Sequence, residues 1–342
     1  MRSVVALLAA VLAAGLLSGC GGDDGAEPGA PEGAGGREVS LVLDFQPNAV
    51  HSALYAAEGD GRFADEGIDL RIREPSGTAD GAKLLEAGQA DFAILDINDF
   101  GIARRRGLKL AAVAAIVQRP LAAVIAADEE EVRDPADLEG KTVGVTGVPS
   151  DDAVLATVLA AGGLEPGAVK RRTIGFQSVA LLAAGRIDAA TAFWNAEGVA
   201  LRQRGIPTQE LRVDELGAPR YPELVLATGS SAVRPGPTRD AACGVVRALE
   251  SGYAELGRDP NAALDALLKA VPELDAGDQR GQLASLVAAE AFSRPDGDAP
   301  TASLEAEAGP LWLRWATGAG IVDPGAVEQV EGGFVPLTEE CR

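Results

Sequence analysis

The sequence predicts an α/β protein of two related lobes with a ligand cleft between them. Three observations predict it. From Glu38 onward, short apolar runs alternate with longer amphipathic ones, the pattern of parallel strands covered by helices. The string Leu84-Leu85-Glu86-Ala87-Gly88-Gln89-Ala90-Asp91-Phe92-Ala93 reappears 97 residues later as Leu181-Leu182-Ala183-Ala184-Gly185-Arg186-Ile187-Asp188-Ala189-Ala190. That spacing is too long for a solenoid and has the size of an α/β lobe. Two more apolar runs, Leu121–Ala126 and Leu224–Ala227, bracket the second copy and read as crossover strands forming a hinge.

In chain order, strands are predicted at Val39–Leu43, Ile68–Ile72, Phe92–Leu95, Leu110–Val117, Leu121–Ala126, Thr142–Val145, Ala189–Phe193 and Leu224–Ala227. Helices are predicted between them at Ala79–Ala87, Ile102–Arg106, Asp151–Ala161 and Ser178–Ala184. In both copies of the repeat the apolar pair lies on a helix, the glycine takes the left-handed position that ends it, and the aspartate opens the next strand. Gly67-Ile68-Asp69 and Gly163-Leu164-Glu165 extend the match weakly upstream. The same unit is common in α/β proteins, so the repeat alone leaves duplication and coincidence both open. Beyond Ser230 helical spacing covers Asp240–Leu256, Asn261–Ala270, Asp278–Ala291 and Pro310–Ala316, expected to pack back on the first lobe. Trp312 and Trp315, on the last of these, are expected in the core. The expected division is 38–125 with 226–342 for one lobe and 126–225 for the other.

Composition narrows the function. The chain has 342 residues, and 30 Lys+Arg against 51 Asp+Glu give a formal charge of −21, a field that repels nucleic acid. One His and three widely spaced Cys cannot supply a zinc site of ordinary spacing, and neither a metal nor a cofactor is expected. At the N-terminus Arg2 precedes an apolar stretch of about 14 residues, Val4–Leu17, which has the length of a signal-peptide core rather than a bilayer span. Residues 1–20 end in Leu17-Ser18-Gly19-Cys20, which resembles a bacterial lipobox and implies lipidation of Cys20. Residues 21–37 are Gly, Pro, Ala and acidic residues without periodicity, a flexible tether with a root-mean-square span of roughly 20–25 Å. The expected location is therefore outside the cytoplasm, held to the membrane by that lipid. Cys243 and Cys341 are then left as a pair able to form a disulfide.

Two strings carry a resemblance. Leu43-Asp44-Phe45-Gln46-Pro47-Asn48-Ala49-Val50-His51-Ser52-Ala53-Leu54-Tyr55-Ala56-Ala57, followed by Gly61-Arg62-Phe63-Ala64-Asp65-Glu66-Gly67-Ile68-Asp69, resembles the opening of substrate-binding proteins of the thiamine-pyrimidine family, which includes the fungal pyrimidine synthases. Phe193-Trp194-Asn195-Ala196-Glu197-Gly198-Val199 is similar to the Trp-Asn-x-Glu-Gly string of the bacterial formylaminopyrimidine and hydroxymethylpyrimidine binders. The resemblance runs from about residue 39 to about 230 and departs where the family usually has Trp and this chain has Phe45. It implies a two-lobed, periplasmic-binding-protein-like (type II) fold with a hinge of crossover strands. It also implies a monomer that captures a thiamine-related aminopyrimidine and delivers it to ABC permease subunits. Riboflavin or another small organic molecule is the alternative cargo. The fungal enzymes carry a cysteine cluster and use iron. The corresponding stretch Tyr221-Pro222-Glu223-Leu224-Val225-Leu226 has no cysteine, so no enzymatic activity is expected.

A flat ring with polar edges needs aromatic faces and fixed acceptors. Phe45, Tyr55, Phe176 and Trp194 are the candidate faces. Glu197 is the first candidate to accept from an exocyclic amine and a protonated ring nitrogen, by the forked logic of charged pairs; the alternative is an acid in a helix's first turn. Asp44 and Asn48 either meet the ligand or cap the helix after Pro47. His51 either donates to the ligand or bonds internally, and Tyr55, one turn on, faces either cleft or core. Asp96, with Asp99 nearby, faces the cleft or starts the next helix, and Asn195 accompanies Glu197. Sulfonates are disfavoured, since an anion calls for arginine or a free helix N-terminus.

Overall fold

A computed structural model describes residues 36–75, 80–127, 131–148, 150–297, 299–338 and 340–341. The expected signal segment with Cys20, and the tether as far as residue 35, lie outside the described residues. Ten strands form: β1 (Arg37–Val42), β2 (Ile68–Arg73), β3 (Phe92–Asp96), β4 (Leu110–Val117), β5 (Ala122–Ala126), β6 (Thr142–Val145), β7 (Lys170–Thr173), β8 (Ala189–Phe193), β9 (Gln209–Arg212) and β10 (Leu224–Gly229). The helices are α1 (Ser52–Gly59), α2 (Arg62–Asp65), α3 (Asp80–Glu86), α4 (Ile97–Arg105), α5 (Ser150–Ala161), α6 (Ser178–Ala183), α7 (Val199–Gln203), α8 (Pro237–Arg258), α9 (Pro260–Ala270), α10 (Ala276–Ala288), α11 (Ala308–Gly318) and α12 (Val327–Glu331).

The strands make two sheets of the same topology. One runs β2-β1-β3-β10-β4 and the other β7-β6-β8-β5-β9. In each, three strands are parallel, and a strand from beyond the crossover enters antiparallel as the fourth. The repeat extends to the level of single hydrogen bonds. Gly88 and Gly185 both have positive φ, 66° and 60°. Asp91 Oδ2 accepts from the Ser40 amide in β1 at 2.8 Å, and Asp188 Oδ2 accepts from the Thr142 amide in β6 at 2.6 Å. Each aspartate thus pins the central strand that it opens to the neighbouring parallel strand of its own sheet, which explains why the motif contains that residue twice.

β7 and β9 were not among the predicted strands. They are the two edges of the second sheet, and their sequences, KRRT and QELR, contain no apolar run because an edge strand faces water. The predicted crossover strands, Leu121–Ala126 and Leu224–Ala227, each sit wholly inside one sheet: β5 pairs with β8 and β9, and β10 with β3 and β4. The connections between sheets are the segments before them, 118–121 and 213–223, because a buried strand must keep its ladder complete.

The C-terminal helices also differ from expectation. α8 and α9 pack on α1, beside the first sheet, but α10 touches α7 and the turn Trp194–Gly198 as well as Ala49–His51. Leu283 and Leu286 of α10 join the core that contains Trp194 and Leu201, so the helix straddles the two sheets. Trp312 is fully buried and its Nε1 donates to Asn98 Oδ1 at 2.9 Å, as a core tryptophan must; Trp315 stacks on Tyr221 with centroids 5.2 Å apart. Cys243 of α8 is bonded to Cys341, with Cα atoms 5.2 Å apart.

Candidate functional site

Both sheets send the carboxyl ends of their parallel strands toward one cleft of about 420 Å³, the usual place for ligands in such sheets. Leu43–Phe45 follow β1, Asp96 and Asp99 end β3 and open α4, Thr146 and Val148 follow β6, and Phe193 with Asn195–Glu197 follow β8. Of the ten candidate residues, Asp44, Phe45, Asn48, Asp96, Phe176, Asn195 and Glu197 line this cleft. His51, Tyr55 and Trp194 do not.

The loop after β1 is organised by its own polar residues. Asn48 caps the short turn Ala49–His51, its Oδ1 accepting from the Val50 amide at 3.1 Å. The Asn48 amide donates to His51 Nδ1 at 3.1 Å, which leaves Nε2 to carry the proton given to Asp44 Oδ1 at 2.9 Å. Asn48 is therefore the cap, while the fully buried His51 stands behind Asp44 and orients it. Tyr55 lies in the α1 core, where burial, followed by Glu74, pushes its phenol up to about 12.

Adjacent strand residues face opposite ways, and this separates Phe193 from Trp194. Phe193 lines the cleft, whereas Trp194 is 1% exposed, gives its Nε1 to the Pro120 carbonyl at 3.1 Å, and lies under Arg212, 4.2 Å from the ring centroid. The ring that this string presents to the cleft is thus one residue back from the expected one, since the indole N–H needs a buried acceptor that the first crossover supplies. Trp194–Gly198 forms a single π-helical turn, a local widening often found at functional sites. Glu210, paired with Arg202 and Arg212, reaches across Gly198, where a Cβ would require its carboxylate to shift.

Phe45 and Phe176 meet from the two sides of the cleft, with centroids 4.6 Å apart at 79°. Phe176 is half-exposed and Phe45 less so. Asn195 is almost completely buried, and neither its Oδ1 nor its Nδ2 has a partner among the described residues. Glu197 Oε2 accepts from the Phe193 amide at 3.0 Å, and burial raises its pKa. Asp96 does both things anticipated of it: its Oδ1 caps α4 through the amides of Asn98 (2.6 Å) and Asp99 (3.3 Å), and it lines the cleft.

Thr146, Ser150, Asp151 and Thr191 also line the cleft and escaped the sequence reading. In sequence Asp151 reads only as a helix start. Its position in the first turn after a strand's carboxyl end was the available signal.

The two crossovers are tied beneath the cleft. Glu223, fully buried on the second, accepts through Oε2 from the amides of Leu121 (2.6 Å) and Ala122 (3.2 Å) after the first. Arg119 and Asp214 pair across the same junction at 2.5 Å. Burial, then the neighbouring Asp96, holds the Glu223 carboxyl well above its ordinary 4.5. A carboxyl raised in the folded state binds more protons there than when unfolded, so stability is greatest below 4.5 and declines as pH rises toward the folded value. Thermal midpoints measured at pH 5 and pH 8 should show the drop in the wild type and a smaller one in Glu223→Gln; an unchanged drop in the variant would remove Glu223 as its source.

The fold is that of the two-lobed periplasmic binding proteins. Among solved structures, the alkanesulfonate-binding protein SsuA from Xanthomonas axonopodis pv. citri, bound to MOPS, superposes with a TM-score of 0.67 over 87% of this chain and 98% of that one, at 18% identity. Residues 48–263 match the family described as NMT1/THI5 like, and the chain belongs to that family. It is 33% identical over 231 residues to a formylaminopyrimidine-binding protein from Halalkalibacterium halodurans, spanning 67% of this chain and 69% of that protein. It is also 24% identical over 246 residues to a 4-amino-5-hydroxymethyl-2-methylpyrimidine phosphate synthase from Legionella pneumophila, spanning 69% and 74%.

Proposed function

We propose that the chain is the solute-binding component of an ABC importer, a monomer without enzymatic activity. Outside the cytoplasm it captures a thiamine-related aminopyrimidine and delivers the ring to the permease by closing its lobes. The observation that carries this reading is Asn195. Leaving a buried amide unpartnered costs about 1–3 kcal/mol per group, and this one, a donor and an acceptor side by side, belongs to a residue that lines the cleft. A ring nitrogen next to an exocyclic amine is its complement, the same pairing by which Asn reads adenine. Glu197 then accepts from the amine or a protonated ring nitrogen, Phe45, Phe176 and Phe193 flank the ring, and His51 fixes the neighbouring Asp44. The cavity volume lies in the range of small-molecule sites.

Closure is a population shift: a ligand that touches residues following both sheets stabilises the closed arrangement, with 118–121 and 213–223 as the hinge. The relatives named for binding support a carrier over a synthase, and in the stretch Tyr221–Leu226 the polar residue Glu223 is engaged in the hinge. The Cys243–Cys341 bond fits an oxidising compartment. The lipobox at Cys20 gives the anchor and the tether lets the lobes reach a permease.

Isothermal titration of the protein with formylaminopyrimidine, hydroxymethylpyrimidine, thiamine and riboflavin tests the reading. One-to-one binding of an aminopyrimidine, tighter than that of the other two, is expected. Tightest binding of riboflavin would move the cargo to the alternative, and turnover of a bound compound would make the chain an enzyme.

A further inference from the structure

The cleft differs from an anion site in one respect that the aminopyrimidine reading does not require. Helix N-termini attract oxyanions because their first amides are unpaired and the dipole is positive there. Two helices, α4 and α5, point such ends at this cleft. Both ends are taken by the chain's own carboxylates. Asp96 Oδ1 holds the amides of Asn98 and Asp99 at the start of α4. Asp99 Oδ1, from α4 beside the first sheet, accepts at 3.2 Å from the amide of Ser150, the first residue of α5 beside the second sheet. Asp151 takes three further donors of that corner: the Gly147 amide at 2.7 Å, Thr146 Oγ1 at 2.8 Å and Thr191 Oγ1 at 2.6 Å.

The charges that line the cleft are arranged the same way. Asp44, Asp96, Asp99, Asp151 and Glu197 lie within it, half-buried or buried, whereas its two basic residues, Lys83 and Arg106, are exposed to water, as is Glu86. Among the described residues, the buried side-chain group of the wall without a partner is the Asn195 amide, which is neutral and needs a donor and an acceptor together.

We infer that Asp99 sets the charge class of the ligand: reaching across the cleft, it fills the helix N-terminus that an oxyanion would take, and so restricts the site to neutral or cationic rings. The identity of the ring rests on the function proposed above; the exclusion of anions does not. Asp99 also joins the two sides of the cleft directly, so the protein's own carboxylate supplies the contact at α5 that an anionic ligand would otherwise supply.

The test is isothermal titration of the full chain and its variants with methanesulfonate and, separately, with hydroxymethylpyrimidine. The wild type should give no measurable heat with methanesulfonate. Asp99→Ala, which frees the Ser150 amide at the start of α5, should gain methanesulfonate affinity by at least about tenfold. Adding Ser150→Pro, which deletes that N–H at a helix position where proline is tolerated, should abolish the gain. Asp99→Ser carries the same expectation should the alanine variant fail to fold.

Binding of methanesulfonate by the wild type would overturn the role of Asp99, as would a folded Asp99 variant that gains nothing or a gain that survives Ser150→Pro. A wild type that ignores hydroxymethylpyrimidine while the Asp99 variant still acquires sulfonate would sink the proposed cargo and leave the role of Asp99 supported.

Discussion

Glutamine in place of Glu197 lowers the affinity for hydroxymethylpyrimidine about ten- to a hundredfold and leaves the fold intact. A charged hydrogen bond contributes about 1.5–3 kcal/mol, which converts to that range. Glutamine preserves the volume, and its amide oxygen can still accept the Phe193 N–H that Glu197 Oε2 accepts at 3.0 Å, so the π-helical turn has no reason to move. What changes is the charge offered to the amine edge. Titration calorimetry reads the affinity and circular dichroism the fold. Unchanged affinity in a folded Glu197→Gln protein would take the carboxylate out of recognition and leave Asn195 as the polar reader of the ring.

Removing the Cys243–Cys341 bond by double substitution to serine costs about 3–5 kcal/mol, because the cross-link spans 98 residues and a closed loop of that size restricts the unfolded chain strongly. For a domain of this size the thermal midpoint falls on the order of 10 °C. The bond holds α8 to the end of a C-terminal segment that itself pairs with β4, where the amides of Val335 and Leu337 donate to the carbonyls of Ala112 and Val113. Neither cysteine lines the cleft, so ligand affinity measured below the midpoint should be unchanged. A variant that melts where the wild type does would show the C-terminal segment to be held by packing alone.

Buried strands and helix stops were legible in the sequence because they leave local signatures. Leu110–Val117 and Thr142–Val145 emerge as strands with the limits expected, being apolar runs buried along most of their length. Gly88 and Gly185 mark their helix ends through the left-handed conformation they adopt. The edge strands β7 and β9 left no such trace, since water on one side asks for polar residues that any loop could carry.

The site was legible in part for a related reason. The string around Asn195 and Glu197 signalled a cleft, and both residues line it. Which of two neighbouring aromatic rings faces the ligand depends on strand register and on where an indole N–H finds an acceptor. Trp194 finds one at Pro120, 74 positions away. Asp99 and Asp151 look in sequence like first-turn acids of their own helices. Their role across the cleft depends on α4 and α5 meeting in space, which one string of residues does not encode locally.

The proposed function requires residues following both sheets to grip one planar ring. A crystal structure of the protein with hydroxymethylpyrimidine tests it most directly. The ring is expected in the cleft against the Phe45–Phe176 pair, its amine within hydrogen-bonding reach of Glu197 and its edge on the Asn195 amide. A ring bound elsewhere, or one touching residues of the first sheet's side alone, would contradict it.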